Sequence, residues 1–364
     1  MSFPTPVGGT LLQNDFAPSI LFAVLYALLI PLMVYRAWDK RSRTLLLLGT
    51  AIFGIERVVI FSLRAAQSQN EDQRESKGLL TYMQVSFGMG FIGIANDLVN
   101  LVRVLLVNPT YGSDRYGECS AAIPKSDTSL SSDDSPLTRP HVGDFPGQPP
   151  DETPDHPRQR FWARRFSDFT NLSFLAAIVP GVIANSRFSS VIDDDDAAEH
   201  TTTLRYVSSG VALFLMAMLA GGASWAQVKQ ARVSKSGVSM MFALTFLLSV
   251  IAVYRLSVMF NTTSSITSTE PGSLNSTGAK TTFYVLHVLP EWLANTLLFG
   301  FNIRRMYGTG MFGDWRNEDE TEEERKKREM KELKKAEKKR RKQDAARVTS
   351  DGPADSETSQ LVPV

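Results

Sequence analysis

One cysteine in 364 residues, Cys119, means that no intramolecular disulfide can staple this chain. Histidine is nearly as scarce. Of the four, His141, His156 and His200 stand in polar connections, which leaves His287 alone inside an apolar block. A metallohydrolase needs several inward His or acidic ligands, so no metal and no cofactor are expected. The first 17 residues hold no Lys or Arg, so the positive start of a cleaved signal peptide is missing. No glycine-rich phosphate loop occurs, which argues against ATP-driven transport. No lysine lies between Lys280 and the end of the last apolar block, so a retinal Schiff base has no anchor. Ser224 has no nucleophile motif around it. An enzyme is not expected.

Charge is lacking only on average. The net charge is +1 and mean hydropathy is near zero, yet the apolar residues sit in seven blocks. Blocks of about 20 apolar residues match the ~30 Å hydrocarbon layer of a bilayer. Lone strands cannot satisfy their backbone groups in lipid, so each block reads as a helix. The spacing predicts spans at about 18–36, 44–63, 79–107, 166–188, 206–228, 238–260 and 281–303. The expected fold is an all-α integral membrane protein, a seven-transmembrane helix bundle. Residues 1–17 form the outside N-terminus, 18–107 spans one to three and 108–165 a disordered cytosolic loop rich in Pro, Ser, Asp and Gly. Spans four to seven occupy 166–304, and 305–364 make a charged cytosolic tail.

Basic residues set the orientation. Arg36, Lys40, Arg41 and Arg43 follow the first span; Lys229, Arg232 and Lys235 join the fifth to the sixth; Arg304 and Arg305 follow the seventh. The acidic run 193–196 and a loop with only Lys280 lie opposite. The N-terminus should be outside and the C-terminus cytosolic. Two glycosylation sequons, at Asn261 and Asn275, fall in a loop already assigned outside. A third, at Asn171, falls inside a span and should stay unmodified.

The basic end of the long loop, 158–165, contains Phe161 and Trp162. It reads first as a positive flank, and as a surface for anionic headgroups second. The tail turns from acidic at 318–324 to basic at 325–342, with Glu322, Glu323 and Glu324 each four residues before a basic partner. A solvated charged helix is the default there, and no nucleic-acid partner is expected.

Charges at membrane depth are costly and mark candidate sites. Glu56 and Arg57 lie in span two, Asp97 in span three, Arg255 in span six, and His287 and Glu291 one turn apart in span seven. Arg255 could neutralise Glu291 or Glu56, with Arg57 taking the remaining acid. Tyr82, Ser86, Gly90, Gly93, Asp97 and Asn100 recur every three or four residues and so line one face of a central third helix. Pro290 precedes Glu291, so the seventh helix should hinge at its acid. The set Glu56, Arg57, Asp97, Asn100, Arg255, His287 and Glu291 is either a closed network that holds helices together or a polar cavity for a ligand.

The run "VYRLSVMF", a loop with sequons, then "FYVLHVLPEWLANTLLFGFNIRRMYGTG" resembles the fungal lipid-translocating exporter family, seven-helix proteins linked to resistance against amphiphilic toxins. Tyr254, Arg255, Phe283, Tyr284, Leu289, Pro290, Phe301 and Asn302 carry the resemblance. "TYMQVSFGMGFIGIANDLVNLVRVLL" and "FSDFTNLSFL" are similar, more loosely, to its third and fourth spans. The chain departs at Val258, His287 and Tyr307-Gly308, where the family favours an acid, an Asp and His-Pro. The resemblance implies the seven-helix topology, a plasma-membrane location and movement of a lipid or amphiphile. Membrane lipids, an amphiphilic ligand, and a cytosolic protein at the long loop or tail are the expected partners.

Two other classes stay open. A G-protein-coupled-receptor-like sensory receptor shares count and orientation. It would usually show an acid–Arg–aromatic triplet where this chain has Asn100-Leu-Val-Arg103. A non-transporting membrane scaffold would need the buried charges only for packing.

Overall fold

The computed structural model describes residues 3–74, 76–122, 149–192, 194–270 and 272–350. Two units emerge: Met1–Ala121 with His141–Asn317, and Ala122–Pro140 with Glu318–Val364.

The first unit is a bundle of long helices. They are α1 (Phe16–Trp38), α2 (Leu48–Gln69), a single turn α3 (Glu71–Arg74) and α4 (Lys77–Val107). Then come α5 (Pro157–Ser173) and α6 (Leu175–Ser186), divided only at Phe174, followed by α7 (Asp195–Lys229) and α8 (Lys235–Val258). A last column joins α9 (Thr277–Phe283), a π-helical stretch (Tyr284–Val288) and α10 (Leu289–Gly300), with α11 (Ile303–Tyr307) beyond it. In the second unit α12 (Glu322–Ser350) is a charged helix with ion pairs Arg328–Glu320 at 3.1 Å and Arg341–Glu337 at 2.8 Å.

Among the described residues five helical stretches are long and apolar enough to cross a membrane: Gln13–Trp38, Lys77–Thr110, Pro157–Ser186, Asp196–Lys229 and Lys235–Val258. The protein is therefore a multi-pass membrane protein. Two further columns are not among them: α2 carries Glu56, Arg57 and Arg64, and the last column, continuous through its π stretch, carries Lys280, His287 and Glu291. Apolar side chains such as Leu28, Val34, Leu172, Phe214 and Phe246 point outward. In water such a surface would aggregate; in lipid it costs nothing.

Helix α4 is central: 72% of its apolar window is buried, against 28–50% in the other four. On α1 the buried Phe22, Tyr26, Leu29 and Met33 repeat at helical spacing, giving one inward face. The π stretch answers Pro290. A proline has no N–H and its ring crowds the carbonyl four residues back. Widening the turn lets Leu289 N–H reach the Tyr284 carbonyl five residues back, so the column continues.

The long connection is more ordered than its composition suggests. Helix α5 begins at Pro157, nine residues before the expected span at 166. Tyr111 and Cys119 are buried against the bundle. Arg160 bonds Asp155 at 2.8 and 2.9 Å, and the Tyr111 ring lies 4.2 Å from the same guanidinium. These anchors are single residues in a polar run, which periodicity cannot register. The centre of the loop, 123–148, and Asp193 of the acidic run lie outside the described residues, as does the tail beyond 350.

The N-terminal residues also fold onto the bundle. Strand β1 (Phe3–Pro4) pairs antiparallel with β2 (Thr262–Thr263). Val7 exchanges hydrogen bonds with the Gln84 side chain of α4 at 3.0 and 3.1 Å.

Candidate functional site

The small-residue stripe of α4 faces α2, and this contact builds the charged centre. Gly90 has no side chain where Arg57 passes: a Cβ there would overlap the guanidinium. Gly93 makes the same room for Phe53. Arg57 then bonds in three directions. Its Nε and Nη2 meet both carboxylate oxygens of Glu291 on α10, the second at 3.2 Å. Nη1 donates to Glu56 at 2.8 Å and to the Ser86 hydroxyl, and Nη2 also reaches the Ser86 carbonyl at 3.1 Å. Tyr82 and Ser86 donate to Glu56 at 2.9 and 2.7 Å. Arg57 and Glu291 are fully buried, whereas Glu56 is 23% exposed. Such a bidentate, fully bonded pair is the form in which buried charges are tolerated.

The charges therefore pair differently from the expectation that Arg255 would neutralise one acid. Arg57 takes both. Arg255, also buried, donates to the Phe87 carbonyl at 3.3 Å and lies over the Phe91 ring. His287 does not join Glu291. It stacks on Phe283 at 5.3 Å and meets the edges of Phe87 and Tyr254 at 5.7 and 6.0 Å. Neither of its ring nitrogens meets a hydrogen-bond partner among the described residues. The wider π turn alters the angle between positions 287 and 291, so the one-face expectation for a regular helix does not hold there.

Asp97 lies further along the stripe and accepts from the Thr50 N–H and hydroxyl, both at 2.8 Å. Thr50 is in the first turn of α2, whose own N-cap position is Leu47 with no capping side chain. Asp97 thus caps α2 from the neighbouring helix, satisfying an orphan N–H and meeting the positive end of the helix dipole. Asn100 is half-buried and makes no side-chain hydrogen bond among the described residues. Asn275 is 3% exposed; its amide nitrogen donates to Ile266 and Ser268 carbonyls at 3.2 and 2.6 Å. Both N–H bonds being used, it has no room for a glycan in this fold, while Asn261 is only half-buried.

Two features escaped the sequence. Asp15, fully buried, is bonded by Arg64 at 3.1 Å, Lys280 at 2.5 Å and the Tyr284 hydroxyl at 3.0 Å. It ties α1, α2 and the last column beneath the N-terminal segment. A lone acid just before an apolar block was the available signal. At the opposite end, Asp314 accepts from Arg103 at 3.1 Å and Arg164 at 3.0 Å. Nothing local to Asp314 announces those partners.

A groove of about 800 Å³ opens beside α5 and α7, within the range of small-ligand sites. Trp162, Phe166, Met218 and Trp225 supply apolar walls; Asp155, His156, Arg158 and Gln159 supply polar groups. Gly221 faces open space, so its missing side chain leaves the floor clear.

Family models, curated proteins and solved structures were compared with the chain, and none matches.

Proposed function

We propose that this is a seven-span membrane protein, N-terminus outside and C-terminus cytosolic, that binds and moves an amphiphile such as a lipid. The observation that carries the reading is the groove between α5 and α7. Its apolar walls suit an acyl chain, and Arg158 with Gln159 suits a headgroup at the basic end of the bundle. Outward apolar side chains on α2 (Ile52, Ile55, Val59) and on the π stretch (Val285, Leu286) support counting those columns as spans. The resemblance to lipid-translocating exporters points the same way. On this reading the Glu56–Arg57–Glu291 network holds α2, α4 and α10 together while the amphiphile moves elsewhere. The plasma membrane is the proposed location, and a cytosolic partner at the loop or tail belongs to the same proposal.

One observation favours a second reading. Arg57 is bonded so completely that the central charges need no ligand, as in a non-transporting scaffold. The test is the flux of a fluorescent phospholipid across proteoliposomes holding the full chain. Wild type should carry the label, and Gly221→Leu, whose Cβ would meet nothing within 4 Å and whose side chain would occupy the groove, should slow it at least fivefold. An absence of flux in wild type, with the protein folded, rejects transport. Ligand-dependent activation of a G protein under those conditions would favour a receptor.

A further inference from the structure

The groove beside α5 and α7 has a depth, a rim and a sign of charge, and these narrow the kind of amphiphile it fits. On α5, Arg158, Trp162 and Phe166 recur every four residues and so share one face. On α7, Met218, Gly221 and Trp225 share another, and all six line the groove. The two walls close on each other at Gly222, where a Cβ would stand 3.2 Å from the Phe166 ring. The start of α5 and the end of α7 lie at the same end of the bundle. Arg232, just past α7, donates to the Tyr111 carbonyl at 2.8 Å, and the Tyr111 ring lies 4.2 Å from the Arg160 guanidinium in the first turn of α5.

Trp162 is five residues into α5 and Trp225 four before the end of α7, so both lie about 6–8 Å from that end at about 1.5 Å per residue. Paired tryptophans at one level suit a membrane–water interface. Phe166 and Met218 lie about 14–17 Å from the same end, close to half of the ~30 Å hydrocarbon layer. The groove thus reaches as deep as one leaflet. Beyond it the exposed Phe169 and Phe214 continue the apolar surface toward lipid. The rim decides the headgroup. Asp155 is the one acid among the described residues that line the groove, and it is already taken. One oxygen accepts from Arg160 at 2.8 Å and from the Gly112 N–H at 3.0 Å, the other from Arg160 at 2.9 Å. Arg158 is exposed, and its guanidinium has no hydrogen bond or ion pair among the described residues. The Gln159 amide beside it is equally free among them.

Resting on the reading of this groove as an amphiphile site, we propose that the lipid it takes is an anionic glycerophospholipid from the leaflet on the basic side. Its phosphate sits at Arg158 and its acyl chains lie between Trp162 and Trp225. A guanidinium is a planar fork matched to phosphate oxygens, and the Gln159 amide adds further N–H donors. A zwitterionic headgroup brings an ammonium as well, and the rim has no free carboxylate to receive it. Arg158 is therefore the residue that sets the preference for charge, while the two tryptophans hold the chains whatever the headgroup.

The test uses the full chain in neutral detergent and reads tryptophan fluorescence as lipids with brominated acyl chains are added to the micelle. Bromine quenches an indole on contact, and two of the five tryptophans line the groove. Brominated phosphatidylglycerol should quench saturably, at a lower mole fraction than brominated phosphatidylcholine. The expected difference is about fivefold, the equivalent of about 1 kcal/mol for one basic residue near anionic lipid. Arg158→Gln should bring the two lipids to one half-saturating fraction. Trp162→Phe combined with Trp225→Phe should remove the saturable part. Equal half-saturation in wild type, or a preference that survives Arg158→Gln, overturns the anionic assignment and leaves the groove an amphiphile site. Saturable quenching that survives loss of both tryptophans places the lipid elsewhere and overturns the proposal. No saturable quenching by either lipid overturns it together with the reading on which it rests.

Discussion

At the scale of single residues the molecule is held by charges that have left water in pairs. Glu291 has one strong partner, Arg57, and is buried with it. Arg57→Ala would strand that carboxylate, and Glu291→Ala would leave Arg57 with the partly exposed Glu56 alone. Removing one member of a buried pair costs about 3–5 kcal/mol. Either variant should melt well below wild type in detergent, Arg57→Ala the lower, and Arg57→Met combined with Glu291→Leu should recover part of the loss. A double variant no better than the singles would show that the pair is not the source of the effect. Asp155 gives a pH-dependent case outside the bundle. Burial alone would raise its carboxyl, but hydrogen bonds from Arg160 and from the Gly112 N–H outweigh that and hold it below the ordinary range. A carboxyl lowered by folding stabilises above its unfolded value, about 3.9, and that stability is lost as pH falls through the folded value. The Tyr111–Arg160 junction should therefore stay protected from amide exchange at neutral pH and open only below about pH 4. Opening near pH 6 would contradict the assignment to Asp155.

At the scale of elements, α4 shows how missing side chains position charged ones. Two glycines on one helix make opposite predictions. Gly90→Ala puts a Cβ into the Arg57 guanidinium, and overpacking of this kind costs about 1–3 kcal/mol. Gly78→Ala, in the first turn of the same helix with nothing within 4 Å, should be neutral or stabilise by up to about 1 kcal/mol. Thermal unfolding of the two variants side by side checks the contrast; equal effects would mean that the α2–α4 contact is looser than described. The stripe that holds Gly90 was legible from periodicity alone, because helical spacing alone decides which residues share a face. Its use was not. Asp97, read as a candidate ligand group, caps the start of α2. The hinge expected at Pro290 is a widened π turn through which the helix continues. Whether a proline kinks or widens a helix depends on the neighbours that hold each side.

At the scale of the whole molecule, five apolar helices present their outward faces to lipid, and one thiol reports on the assembly. Cys119 is 5% exposed, hydrogen-bonded to Asn108 at 3.3 Å, and burial pushes its thiol up to about 12. Reactivity belongs to the thiolate. Maleimide labelling at pH 7.5 should be negligible in the folded protein and should rise together with loss of helical signal on heating. Labelling that precedes the loss of helix would show that the connection around Cys119 opens on its own. The same scale decided the fate of the N-terminus. Its first residues have no period and no charge run, so nothing marked them as structured. Yet β1, Val7 and Asp15 tie them to four separate parts of the bundle.

The sequence alone determined that this chain lives in a membrane, where its apolar blocks lie, and which residues of α4 share one face, though from Gly93 onward that face is only half-buried. Those follow from local rules: hydrocarbon thickness sets block length, backbone hydrogen bonding demands helices, and helical period assigns faces. Only the tertiary structure decided which charge meets which. Arg57 takes both acids and leaves Arg255 with no carboxylate within ion-pair distance among the described residues, because pairing depends on how helices far apart in the chain are rotated and spaced, and no local spacing encodes that.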